Sequence, residues 1–194
     1  MGSIVSTLKD CSPSYFDESV PTVDTYWYLG FLLDVGLKFM HHLQSMVVRG
    51  WAAFNSLLGT ARSLHLPFPL QSVSIPSRVE QAALYGLEFC IGVCNAESRL
   101  NRMQVGWAKA ILGIRDCPQG QWLVLITECA WTTRLGTRMI ERAIMLIARI
   151  AVLPLTHPAN MALRVAGQSD FHCWFTEVKN LCGNKFPSRI LMLW

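Results

Sequence analysis

The chain has 194 residues, 52% of them hydrophobic and 15% charged, with a net charge of +4 and a mean hydropathy of +0.30. Disordered chains are poor in apolar side chains and rich in charge, so bulk disorder is excluded and one domain-sized core is expected. The charged fraction lies below the roughly 25% usual for a soluble domain, so either apolar surface meets a partner or the chain is part of something larger.

The first 25 residues are polar and turn-rich, with Ser12-Pro13-Ser14 and Pro21, and read as a tail or the end of an element that began elsewhere. The start Met1-Gly2-Ser3-Ile4-Val5-Ser6 fits the loose acylation pattern at Gly2, with Cys11 as a second acyl acceptor; chance is the competing reading. Residues 26–34, Y-W-Y-L-G-F-L-L-D, are short and aromatic, and predict a strand or a tight hairpin closed by Gly30.

A strong helix is expected over residues 37–60, where Met40, Leu43, Val47, Trp51, Phe54 and Leu58 fall within an arc of about 80°. His42, Ser45 and Arg49 lie opposite. Neighbours on a helix diverge by about 100°, so His41 and His42 are read as surface and flank residues, not as a metal pair. Pro67-Phe68-Pro69 predicts a break. A second helix is expected after Pro76, with Ser77 and Glu80 at capping-box spacing, running to about residue 93. Cys90 and Cys94 are four apart, a spacing that shares a face on a helix, and are read as buried thiols.

A third helix is expected over 97–114, with Leu100, Met103, Trp107 and Ile111 as its apolar stripe and Arg99, Arg102 and Lys109 on another flank. A short helix over 121–130 and a long one over 133–152 follow, with small helices after Pro158 and Ser169. The fold class expected is mainly α, a helical bundle with a short β-hairpin or strand near residues 26–34.

No membrane-spanning helix is expected. The uncharged runs are broken by Pro67, Pro69 and Pro76, or by Pro154 and Pro158, and the apolar run over 139–153 carries Glu141, Arg142 and Arg149. The first ten residues lack the basic-then-apolar order of a signal peptide. The seven cysteines are odd in number and unpaired in spacing, which fits a reducing, intracellular compartment, nucleus and cytoplasm remaining equally open.

Charge is unevenly placed: residues 1–98 carry a net −3 and residues 99–164 a net +6. Arg134, Arg138, Arg142 and Arg149 fall within about 80° of one another on a helix. Such a row is either an ordinary solvated face or a phosphate-backbone surface, for which arginine is suited by its bidentate fork. No nucleophile–base set, Gly-rich phosphate loop or adjacent aspartates are present, so no catalytic residue, cofactor or metal site is expected.

Four segments, in order and spacing, carry a family resemblance. Tyr26 to Asp34, followed by the helix with His42, Trp51 and Leu58, is similar to the "YLG…D" segment of non-LTR (LINE-type) retrotransposon reverse transcriptases. Ala82-Ala83-Leu84-Tyr85-Gly86-Leu87-Glu88-Phe89 resembles that family's "YG-E" segment, and Leu100-Asn101-Arg102-Met103-Gln104 with Ala110-Ile111-Leu112-Gly113 its next landmark. Residues 123–149 look like the helix pair that closes its thumb.

The resemblance implies a tail or palm remnant at 1–25, a primer-grip turn and helical thumb over 26–165, and a helical extension over 166–194. It implies contact with RNA or an RNA–DNA duplex by Tyr28, Leu29, Gly30, Arg99, Arg102, Lys109, Arg134, Arg138, Arg142 and Arg149, and a palm and fingers polypeptide as a possible partner. The chain has no Y-x-D-D box, so polymerase activity is not implied. Tyr85, Gly86, Trp51 and Trp107 are expected in the core. The competing reading is a helical protein-interaction module or an acyl-tethered peripheral-membrane protein.

Overall fold

A computed structural model describes residues 14–15, 18–19, 23–114, 131, 133–168, 176–178 and 180. The fold is mainly α. Two short antiparallel strand pairs come first: β1 (Ser14–Tyr15) with β2 (Glu18–Ser19), and β3 (Thr25–Tyr28) with β4 (Phe31–Asp34). The helices are α1 (Met40–Ser63), α2 (Phe68–Ser74), α3 (Glu80–Ala83), α4 (Ala96–Leu112), α5 (Leu135–Val152) and α6 (Pro158–Gln168). The expected short helix over 121–130, and most of the one after Ser169, lie outside the described residues.

The hairpin has the geometry its sequence asks for. Tyr28 pairs with Phe31 across a two-residue turn, with Leu29 at φ 47° and Gly30 at φ 86°. Two positive φ angles in a row match the right-handed twist of the strands, and Gly30 takes its angle without steric cost. A two-stranded hairpin is marginal in water by itself. It is held here because β4 packs on α1.

The periodicity of α1, α4 and α5 builds the core. Leu43, Met46 and Phe54 of α1, Leu100, Met103 and Trp107 of α4, and Leu135, Met139, Ala143 and Ile147 of α5 are all buried. Phe54 and Trp107 stack with ring centres 5.9 Å apart, and Trp51 meets Trp107 edge-on at 6.4 Å. Trp107 is fully buried, as expected of a core residue, while Trp51 is half-buried against the core.

Pro76 does not open a helix. The helix begins earlier, with Pro67 extended (φ −65°, ψ 150°) just before α2 and Pro69 in its first turn, where a missing N–H costs nothing. It then passes through a wider turn over Ile75–Val79 and continues as α3. Proline inside a helix removes one i→i−4 bond and pushes away a carbonyl; the π-turn absorbs both. Ser77 donates to Ser74 O (3.0 Å) and does not cap. The helix ends at Ala83, and after Leu84 and Tyr85 the left-handed Gly86, φ 69°, leads into a short 3₁₀ turn Leu87–Cys90. Cys90 and Cys94 therefore share no helical face: Cys90 is buried and Cys94 exposed.

The N-terminus of α5 has no cap of its own, since Arg134 stands at that position. α4 supplies it instead. Buried Gln104 accepts from Leu135 N (3.1 Å) and donates to Thr133 O (3.0 Å), and Asn101 accepts from Gly136 N (2.9 Å). Two of the four orphan amides of a helix start are thus satisfied from a neighbouring helix.

Glu80 is completely buried and forms an ion pair with Arg138, whose side chain is 25% exposed. Burial holds the Glu80 carboxyl above its ordinary range, against the pull of Arg138 and Arg142. Truncating one partner strands the other's charge. Arg138→Ala is expected to cost about 3 kcal/mol in urea unfolding, at the low end for buried pairs because the guanidinium is partly wet. Glu80→Gln combined with Arg138→Met is expected to cost less than Arg138→Ala alone. A double variant as unstable as the single one would contradict this.

Candidate nucleic-acid interface

His42 is the residue that the sequence places wrongly. It is not a flank residue; it is fully buried. Leu32 N donates to its Nδ1 at 3.2 Å, and its Nε2 lies 3.2 Å from Tyr85 O. One tautomer satisfies both bonds: Nδ1 bare and accepting, Nε2–H donating. The Phe31 ring stacks on the imidazole with centres 5.0 Å apart. Its angular position on α1 suggested solvent because periodicity registers the core of the helices, not a hairpin folded over the helix's other side.

The same joint holds the rest of the aromatic turn. Tyr85 is not core; it is 45% exposed, and its hydroxyl donates to Leu29 O at 2.7 Å. Gly86 is buried, as expected, and leaves the space the joint needs. A Cβ there would lie 2.5 Å from the Phe31 ring and 2.9 Å from His42 Nε2. A Cβ at Gly30 would lie 2.9 Å from the Tyr85 ring. Of the expected contact residues, Tyr28 and Leu29 present 56% and 74% of their surface to solvent. Trp27, on the other face of β3, lies under the Arg49 guanidinium at 4.7 Å.

The expected basic residues do not form one surface. Arg138, Arg142 and Arg149 line an open cleft of about 690 Å³ along α5, together with Gln81, Glu88 and Glu141. Two of these arginines are committed inward. Arg138 pairs with Glu80, and Arg142 donates to Leu84 O (3.1 Å) and Gln81 Oε1. Three of the four arginines expected in one row share the cleft; Arg134 stands extended before the first turn of α5, and acceptors on α3 and the turn after it engage Arg138 and Arg142. Arg134 and Arg149 are exposed at or near the two ends of α5.

Arg99 and Arg102 face another way. They line a groove of about 410 Å³ between α1 and α4, over Val47, Val48, Trp51 and Met103. Lys109 lies outside both hollows.

Among the described residues no group of three or more His, Cys, Asp or Glu side chains could hold a metal ion. Buried Cys90, its thiol pushed up to about 12 chiefly by burial and further by Glu88, is no nucleophile near neutral pH. No helix among them is long and apolar enough to cross a membrane. Comparison with protein families, characterised proteins and solved structures gives no match to this chain.

Burial holds the His42 pKa below its ordinary value; the bond to Tyr85 opposes this and Arg49 adds to it. The unfolded chain therefore binds the proton more readily than the folded one. Stability is expected to be full above about pH 7 and to fall as the pH drops through the ordinary histidine value near 6.5. His42→Gln should be less stable at pH 7.5, and its deficit relative to wild type should shrink between pH 7 and 5. Urea midpoints of both proteins across that range check it; a difference between wild type and His42→Gln that stays constant from pH 7 to 5 contradicts it.

Proposed function

We propose that this chain is a catalytically incomplete fragment resembling the thumb region of a non-LTR retrotransposon reverse transcriptase, and that it binds nucleic-acid backbone without sequence preference. The observation that carries the reading is the segregation of charge. α1 contains no acidic residue in its 24 positions. The acidic residue of α4, Glu97, lies against Gly136 of α5 and away from the groove. The α1–α4 side is left with Arg49, Arg99 and Arg102 and no carboxylate among the groove residues. Ordinary solvated helix faces mix signs, so a face without acid suits phosphate.

Two further observations support the family resemblance. The "YLG" and "YG" segments, 56 residues apart at Leu29 and Tyr85, meet at a hydrogen bond of 2.7 Å. The arrangement of hairpin followed by helices fits a primer-grip turn on a thumb. The chain's lack of a Y-x-D-D box supports the absence of polymerase chemistry.

The second reading, a protein-interaction module, is favoured by one observation: Tyr26, Trp27, Tyr28 and Leu29 are all exposed on one hairpin.

Titration of the full chain into an RNA–DNA duplex at two salt concentrations separates these. Backbone binding weakens by about tenfold or more between 50 and 200 mM salt, because each phosphate contact releases counterions. Absent binding, or binding insensitive to salt, would contradict the proposal.

A further inference from the structure

We infer that the α1–α4 face, with the hairpin beside it, is a site for single-stranded nucleic acid. This rests on the nucleic-acid reading above and names the form of ligand. Along α1, the residues His41, Gln44, Val48 and Ala52 are exposed and fall within an arc of about 80°. This stripe has one basic border on each side. On one side Arg49 covers the half-exposed ring of Trp27. On the other, Arg99 and Arg102 stand over the groove floor of Val47, Val48, Trp51 and Met103.

A duplex offers phosphates at its surface and keeps its bases stacked inside. It has no use for an apolar floor bordered by Arg49 on one side and by Arg99 and Arg102 on the other. A single strand has both parts: phosphates for the arginines, and unpaired bases for aromatic and apolar surface. Trp27, 46% exposed beneath Arg49, is the aromatic surface at this border; Tyr26 and Tyr28 lie on the opposite face of β3. Charge complementarity points the same way, since neither α1 nor the groove lining contributes a carboxylate. An acidic peptide would satisfy the charge but leave the exposed Trp27 ring unused.

The site is not the cleft along α5. There Glu88 and Glu141 share the lining, and Arg138 and Arg142 are bonded within the protein.

The experiment measures affinity of the full chain for a fluorescein-labelled twelve-residue oligothymidylate and for a duplex of the same length. The single strand is expected to bind at least about threefold tighter. Arg49→Ala with Arg102→Ala, both on exposed side chains, should weaken it about tenfold, and Arg102→Glu alone should do as much. Trp27→Ala should weaken binding while leaving the salt dependence unchanged, because stacking releases no counterions. Arg149→Ala should stay within about twofold of wild type.

If both ligands bind and only Arg149→Ala weakens them, backbone binding stands and this placement is overturned. If neither ligand binds, the nucleic-acid reading falls and this inference with it. Displacement of the oligonucleotide by poly-glutamate as readily as by unlabelled oligothymidylate would show a surface that reads charge alone, and would also overturn it.

Discussion

One imidazole ring holds the hairpin to the helices. His42 takes the amide of Leu32 on one nitrogen, faces the carbonyl of Tyr85 with the other, and stacks against Phe31. Each of these partners belongs to a segment that could not hold its place alone. The hairpin has only two strands, and the stretch after α3 turns through a left-handed glycine into a short 3₁₀ turn. Buried backbone polar groups are costly when unpaired, so the ring's two bonds fix both segments at once. The Tyr85 hydroxyl on Leu29 O then holds the turn, where a non-glycine residue sits at φ 47°.

Much of the helical frame was legible from spacing. α1, α4 and α5 each lie within about three residues of the expected bounds, because their apolar stripes are long and the core they face is large. The hairpin was legible too, since Leu29-Gly30 sits between two aromatic runs. Pro76 misled because proline is read as a boundary, while here a π-turn carries the helix past it. The capping-box reading failed for a related reason. Glu80 is spent on Arg138, 58 residues away, not on a local amide. The caps that do matter, Gln104 and Asn101 on α5, join two helices and leave no trace in local spacing.

The candidate site shows the same limit. Helical angles placed Arg138, Arg142 and Arg149 along one cleft, but acceptors on another element decide which guanidinium groups are available to a ligand. The α1–α4 face was missed as a unit because its signal is mostly an absence. A helix with few basic residues and no acidic ones has nothing to count, yet beside Arg99 and Arg102 it becomes a surface of one sign. Arg49 gains its meaning only when Trp27 is seen beneath it.

The central claim concerns the protonation of a single ring, and ring-nitrogen NMR reads it directly. In ¹⁵N-labelled protein at pH 7.5, the joint requires His42 Nδ1 to carry no proton and Nε2 to carry one. The Leu32 amide should show a coupling or shift change across its bond to Nδ1 that disappears in His42→Gln. A His42 ring protonated on Nδ1, or averaging between tautomers as a solvent-exposed histidine does, would contradict the account.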